Sequence, residues 1–313
     1  MKSNLKTACL FGGHGSQYIG MGKEFYEQNG GCRQIFNIGT SVLGYDVAEY
    51  CFYGVTEDDF DESFYSLTSL LAVNLSAYTM AINKGYTFNA YAGFSLGEYA
   101  ALAASGTISI HESFELLKEL LIIAESLPQD ASYSMSVVNL PPEICEHICL
   151  EVRSMDKKVT VSNYNTHNQV TIAGSIEGIE QFKILSSKFG AKMYPISIHR
   201  AFHTEYMSTV EDIIRKQIDN YNFAIPKTSL YMNATGKEIT SLEEIKLNIV
   251  CHFSSPVLWS QTLMNMHNSK IQRYIECGSR GILSRMVRNN LGIKKEAAYH
   301  ISPKLLKGEE LQL

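Results

Sequence analysis

An α/β fold built on a largely parallel sheet is what this chain predicts, and three observations carry that prediction. Apolar strand-like runs alternate with amphipathic helical ones, a glycine-flanked serine sits where one such strand meets a helix, and the rhythm changes between residues 133 and 198. Thr7 to Phe11 reads as a strand and Met21 to Asn29 as the helix after it; Ala90 to Ala92 with Leu96 to Ala104, and Lys270 to Glu276 with Ile282 to Arg288, repeat the pairing. From Tyr133 the order becomes strand (to Val138), helix opened by Pro141-Pro142 (to Val152), strand (Lys158 to Asn163), strand (Gln169 to Ala173), helix (Ile176 to Phe189) and strand (Lys192 to Ile198). That is the β-α-β-β-α-β order of a ferredoxin-like unit, with Asn163 to Asn168, rich in turn formers, as its hairpin connection. The expected organisation is a large α/β domain of residues 1–128 and 200–313 with a small ferredoxin-like domain, 129–199, inserted into it, and a ligand cleft between the two.

At 313 residues the chain can bury a substantial core. A net charge of −5, from 27 basic and 32 acidic residues, gives no general attraction for nucleic acid or an anionic membrane, and neither is expected as a partner. The opening apolar run, Ala8 to Phe11, is too brief for a signal-peptide core or a membrane span, so a cytoplasmic protein is expected. Seven scattered cysteines argue against a disulfide framework. Cys145 and Cys149 lie one helical turn apart but lack a second pair to complete a metal site, and no metal is expected.

Gly93-Phe-Ser-Leu-Gly97 is the most informative stretch. Glycines two positions either side of Ser95 permit a sharp strand-to-helix turn that presents the hydroxyl at the start of the helix, as at the top of an α/β-hydrolase-like sheet. Ser95 is thus a candidate nucleophile, with the Leu96 N–H and the helix dipole facing any oxyanion formed there. By itself the string also fits a tight turn with an N-cap serine. A serine needs a base, and His203, following Arg200-Ala-Phe at the exit from the inserted unit and preceding a helix that begins near Thr204, is the strongest of nine histidines; a surface position is the alternative. Phe11-Gly-Gly-His-Gly-Ser-Gln17 lacks the lysine of a triphosphate loop and the spacing of a dinucleotide fingerprint. It suits placing the His14 N–H beside Ser95 as a second oxyanion donor.

Taken together, Phe11 to Gln17, Gly93 to Glu98, Ser162-Asn-Tyr-Asn165 with Gln169, Ala201-Phe-His203, Asn233, Ser255-Pro-Val257 and Glu276-Cys-Gly278 resemble, in order and over nearly the whole chain, malonyl-CoA:acyl-carrier-protein transacylases and the acyltransferases of polyketide synthases. The resemblance implies a ping-pong cycle through a Ser95 acyl-enzyme, with His203 as base and then acid, His14 and Leu96 N–H groups on the oxyanion, and a backbone carbonyl near His252 orienting the base. It implies no cofactor of the enzyme's own, since its substrates carry phosphopantetheine as acyl-ACP or acyl-CoA, and an acyl carrier protein and an acyl thioester as partners of a monomer. A basic cluster of Arg280, Arg285, Arg288, Lys294 and Lys295 would meet the acidic carrier.

The chain also departs from that pattern. Leu120 falls where malonyl-specific members carry an arginine for the free carboxylate, Lys118 is two positions away on another helix face, and no arginine occurs between Arg33 and Arg153. Phe94 replaces a histidine, and His14, Leu67 and His252 replace glutamines. Burying a malonyl carboxylate without a cation costs several kcal/mol, so an uncharged acyl group is expected in a pocket drawing on Leu120, Phe94, Phe202, Asn165 and His252, with Arg200 as a possible cation from the opposite wall. The expected activity is that of an acyl hydrolase of polyketide, hence antibiotic, biosynthesis that clears non-malonyl groups from carrier proteins. The alternative is a trans-acting enzyme loading malonyl or a starter group from CoA onto the carrier; a catalytically silent docking protein is a third reading, and a Ser-Asp lipase the least favoured.

Overall fold

A computed structural model describes residues 5–54, 64–126, 132–198 and 200–302. The chain opens with β1 (Thr7–Phe11), α1 (Lys23–Gln28), α2 (Gly30–Leu43), α3 (Val47–Tyr53), α4 (Phe64–Asn83), β2 (Ala90–Gly93), α5 (Gly97–Ala104) and α6 (Ile110–Ser126). Next come β3 (Ser132–Val138), α7 (Pro142–Arg153), β4 (Val159–Thr166), β5 (Gln169–Ser175), α8 (Ile176–Ser186) and β6 (Lys192–Ile196). The last part holds α9 (Thr209–Gln217), β7 (Ser229–Tyr231), α10 (Leu242–Val250), α11 (Trp259–Asn268), β8 (Arg273–Cys277), α12 (Ile282–Leu291) and β9 (Ala298–Ile301).

Five strands form one parallel sheet in the order β7-β2-β1-β8-β9. Every residue of β1 is buried, which is why its sequence is a continuous apolar run rather than an alternating one: helices cover both faces. Two apolar clusters lie on the two sides of this sheet. Cys9, Phe11, Tyr91, Ile275 and Cys277 face the helices α1 to α6, while Ala8, Leu10, Ala90, Ala92 and Tyr274 face Trp259, Leu263 and Val287 of α11 and α12. The edge strands β7 and β9 are too short to announce themselves in the sequence. The helix after β1 begins at Lys23 rather than Met21, because Gly20 and Gly22 take left-handed φ values of 98° and 77° and keep the chain non-helical until then.

The second sheet is antiparallel, in the order β4-β5-β3-β6, with α7 and α8 packed on it over its own core, to which Val137, Cys145, Cys149, Ile172 and Phe182 contribute. Strand β4 runs to Thr166, three residues beyond the sequence expectation, and its register with β5 shifts between Val161 and Asn163. Beyond that bulge the strand stays paired with β5 while it also pairs with the larger body: the Tyr164 N–H donates to the Val257 carbonyl, and the Val257 N–H to the Ser162 carbonyl, both at 2.9 Å. Among the described residues no helix is long and apolar enough to cross a membrane.

Candidate active site

The turn between β2 and α5 is sharp because two glycines remove the atoms that would block it. A Cβ on Gly93 would lie 2.0 Å from the carbonyl carbon of Gly97, and one on Gly97 would lie 2.1 Å from the Phe11 carbonyl oxygen. Ser95 between them takes φ 52°, a left-handed conformation that costs a non-glycine residue about 1–3 kcal/mol and persists only where its surroundings over-determine it. Here the surroundings are Asn233, whose side-chain oxygen accepts the Ser95 N–H at 3.0 Å while its amide donates to the Gly93 carbonyl at 3.0 Å.

His203 is held just as firmly. It too adopts a positive φ, 62°, with its N–H donating to the Phe253 carbonyl at 2.6 Å. Its Nδ1 lies 2.8 Å from the His252 carbonyl, and its Nε2 lies 2.7 Å from Ser95 Oγ, 108 residues away in sequence. A carbonyl can only accept, so Nδ1 carries the ring proton and Nε2 is left to accept the Ser95 hydroxyl. Burial pushes the imidazole down to about 3, with His252 beside it working in the same direction, so His203 is neutral and able to take up a proton at ordinary pH. The expectation that a carbonyl near His252 orients this ring matches the geometry. The helix expected at Thr204 starts later, since Thr204 caps a 3-10 turn, Glu205–Met207, and the α-helix follows at Thr209.

The loop after β1 runs against the elbow so closely that a Cβ on Gly13 would lie 2.3 Å from the Phe94 carbonyl oxygen and 3.3 Å from the Leu96 nitrogen. Asn74 of α4 anchors this loop by donating to the Gly12 carbonyl at 2.8 Å, and Ser16 Oγ donates to the Gly13 carbonyl at 2.6 Å. The loop that carries His14 thus runs beside Ser95 and Leu96, and His14 lines the cleft with the serine.

The cleft above the serine, of about 60 Å³, is lined from the parallel-sheet side by His14, Phe94, Ser95, Phe202 and His203, and from the antiparallel sheet by Ser134, Ser162, Asn163, Thr171, Ile196 and Ile198. Phe94 and Phe202 therefore stand where they were expected, with Phe94 edge-on to Trp259 at 5.5 Å. Four expected lining residues lie elsewhere. Leu120 is 1% exposed on the face of α6 that packs into the apolar core. Arg200 donates to the Glu125 carbonyl at 2.7 Å, near the end of α6. Asn165 is buried one bulge beyond the cleft, donating to Thr171 Oγ1 at 3.1 Å, and His252 sits behind His203 rather than beside the substrate space. Lys118 faces away, donating to the Val42 carbonyl at 2.7 Å.

Several functional neighbours escaped the sequence reading. Glu98, in the helix after the elbow, is 1% exposed; its two oxygens accept the Asn233 N–H at 2.7 Å and face His252 Nδ1 at 2.9 Å. Asn233 and Glu98 both lie in recognisable motifs, but nothing in their spacing shows that they meet each other. Of the cleft residues on the antiparallel sheet, Ser162 and Asn163 lie in a stretch that the resemblance includes, but Ser134, Thr171, Ile196 and Ile198 carry no distinctive pattern.

A serine on a strand-to-helix elbow, 2.7 Å from a histidine whose other ring nitrogen is held by a carbonyl, defines a protein equipped for acyl transfer through a serine ester. The chain belongs to the acyl transferase domain family, whose model matches residues 9–312, and it is an acyltransferase. It is 26% identical over 285 residues to the malonyl CoA-acyl carrier protein transacylase of Bacillus subtilis, covering 90% of both chains. Among solved structures it is similar to a malonyl transacylase of Streptococcus pneumoniae, with TM-score 0.87, 28% identity and coverage of 97% of this chain and 100% of that one. It is also similar to a malonyl-transacylase in complex with its type II polyketide synthase acyl carrier protein, with TM-score 0.86, 25% identity and coverage of 92% and 93%.

Proposed function

We propose that this protein moves an acyl group from a coenzyme A thioester to the phosphopantetheine thiol of an acyl carrier protein, through an ester on Ser95. In the first half, Ser95 Oγ attacks the thioester carbonyl as its proton passes to His203 Nε2, and the N–H groups of His14 and Leu96 hold the oxyanion. Collapse breaks the C–S bond, and the departing thiolate takes the proton back from His203. In the second half the carrier thiol gives its proton to His203 and attacks the Ser95 ester; the same proton returns to Ser95 Oγ as the acyl group leaves on the carrier. The observation that carries this reading is the 2.7 Å approach of His203 Nε2 to Ser95 Oγ, with the tautomer fixed from behind. The named relatives support a carrier-protein acceptor.

The acyl group we propose is short and uncharged. No lysine or arginine is among the described residues lining the cleft. A cleft this small, far below the 300–1,000 Å³ of a drug-sized site, suits a short chain. Loading of starter groups for polyketide assembly is the setting that such a preference fits. Hydrolysis of the acyl-enzyme is a second reading, favoured only by the missing cation; the relatives named malonyl CoA-acyl carrier protein transacylase support transfer over it.

Intact-protein mass spectrometry after exposure to acetyl-, propionyl- and malonyl-CoA, with and without holo carrier protein, tests both. Transfer predicts an adduct on the wild type, none on Ser95→Ala, and movement of the acyl group to the carrier. Rapid loss to water with no carrier loading would establish the hydrolase; no adduct from any thioester would overturn both.

A further inference from the structure

Behind the serine and its histidine lies a second, wholly buried pair that the reaction as written does not use. His252 is 3% exposed, its Nδ1 is 2.9 Å from Glu98 Oε2, and its own peptide carbonyl is the group that accepts His203 Nδ1. Its ring stands 5.2 Å from the His203 ring at 68°, and its Nε2 is buried with no hydrogen-bond partner. The other oxygen of Glu98 accepts the N–H of Asn233, the residue that fixes the Ser95 backbone. One carboxylate is thus tied along one route to the nucleophile and along the other to the base.

We propose that His252 is a positioning residue for the acyl-transfer reaction: anchored on Glu98, it holds its own carbonyl on His203 Nδ1, and its ring sets the electrostatic environment of the base. This rests on the Ser95–His203 reading above and adds to it a side-chain role. Backbone carbonyls alone would orient the imidazole, but the carbonyl of residue 252 is only as well placed as the side chain that pins its segment. That segment lies in turns between the end of α10 and Ser255-Pro256, held by backbone bonds such as His252 N–H to the Ile249 carbonyl at 3.1 Å and Ser255 N–H to the Cys251 carbonyl at 2.9 Å. The Glu98 contact is the side-chain anchor added to them.

The ring contributes charge as well as position. The groups facing it are Glu98 and Tyr99 from α5 and His203 from the loop across the cleft; Cys251 precedes it on its own segment, where Glu211 reaches from α9 only as far as Ser254. Burial holds the Tyr99 hydroxyl well above the usual phenol range, so it stays neutral. Beside burial, the His252 imidazole works to lower the pH at which the base becomes protonated. A glutamine at 252 would keep a donor for Glu98 and the carbonyl in place, while removing the ring.

The test uses a fluorophosphonate, which labels any base-activated serine whatever acyl group the protein takes, and follows the labelling rate of Ser95 against pH. For His252→Gln the plateau should stay within about threefold of wild type while the acid limb moves to higher pH, giving about tenfold slower labelling for each pH unit that the limb moves. His252→Leu, which also loses the anchor on Glu98, should label about 10-fold to 100-fold more slowly across the whole range, since base catalysis is worth that much or more. Should His252→Leu not fold, the limb of His252→Gln decides alone. Superimposable profiles for wild type and His252→Gln would overturn the role of the ring. No labelling of the wild type, or labelling unaffected by His203→Ala, would instead remove the nucleophile and base assignment on which it rests.

Discussion

Asn233 accepts the Ser95 N–H and donates to the Gly93 carbonyl, so one side chain closes both ends of the nucleophile turn. The turn is strained, and a side chain that satisfies its buried polar groups is what keeps it populated. Asn233→Ala leaves a buried donor and a buried acceptor unmet and should cost about 2–3 kcal/mol of stability in a denaturant melt. Single-turnover acylation should slow more than the Michaelis constant rises, because the loss falls on the placement of Oγ. Asn233→Asp keeps the acceptor and should retain more of the rate than the alanine.

Leu120 separates a packing role from a substrate role. It is enclosed by the apolar face of α6 with Leu116, Leu117, Leu121 and Ala124, against the helices behind the elbow. Leu120→Ala should lower stability by about 2–5 kcal/mol, the usual cost of such a cavity, with the order of preference among acyl-CoAs unchanged. A switch of preference without loss of stability would show that the residue meets the substrate after all.

Glu276, at the end of β8, turns its oxygens onto the N–H groups of Ile282 and Ser284 at the start of α12. Burial pushes its carboxyl up to about 7, from an ordinary value of 4.5. Between those values the folded chain keeps a proton that the unfolded chain has released, so this group's contribution to stability falls as pH rises through the window. Thermal melts of wild type and Glu276→Gln at pH 5 and pH 8 check it. The advantage of wild type should be larger at pH 5 and shrink by pH 8, and a gap independent of pH would refute the assignment.

The basic cluster near the end of the chain is less uniform than its sequence. Arg288 donates to the Ala298 carbonyl at 2.7 Å and Arg280 lies 5.2 Å over the Tyr18 ring, whereas Arg285 and Lys295 are exposed. Arg285→Glu with Lys295→Glu should raise the Michaelis constant for the carrier protein several-fold, less so at high salt, and leave acylation by acyl-CoA unchanged. Arg288→Glu should instead reduce stability, through the lost contact to β9.

The parallel and antiparallel sheets and the elbow were legible because each depends on local pattern: buried runs, helical periodicity, turn-rich connections, and glycines where no side chain fits. The pairing of His203 with Ser95 came from the resemblance, since a histidine after Ala201-Phe202 by itself also fits a surface position. Element ends were read less well where a positive φ or a bulge decided them, as at Gly22 and in β4. That Leu120, Arg200, Asn165 and His252 do not line the cleft was illegible for a different reason: a residue's position along a helix or loop does not say which neighbour it faces.

The chemistry of this protein is written in residues that carry it wherever they sit: Ser95 between its glycines, and His203 after Ala201-Phe202. Only the tertiary structure decided which groups serve them. The Glu98 carboxylate reaches Asn233 and His252, 135 and 154 residues away, because the sheet and the returning chain bring three segments to one buried point. Hydrogen bonds and desolvation act over a few ångströms of space, whatever the distance along the chain, and the fold alone sets those separations.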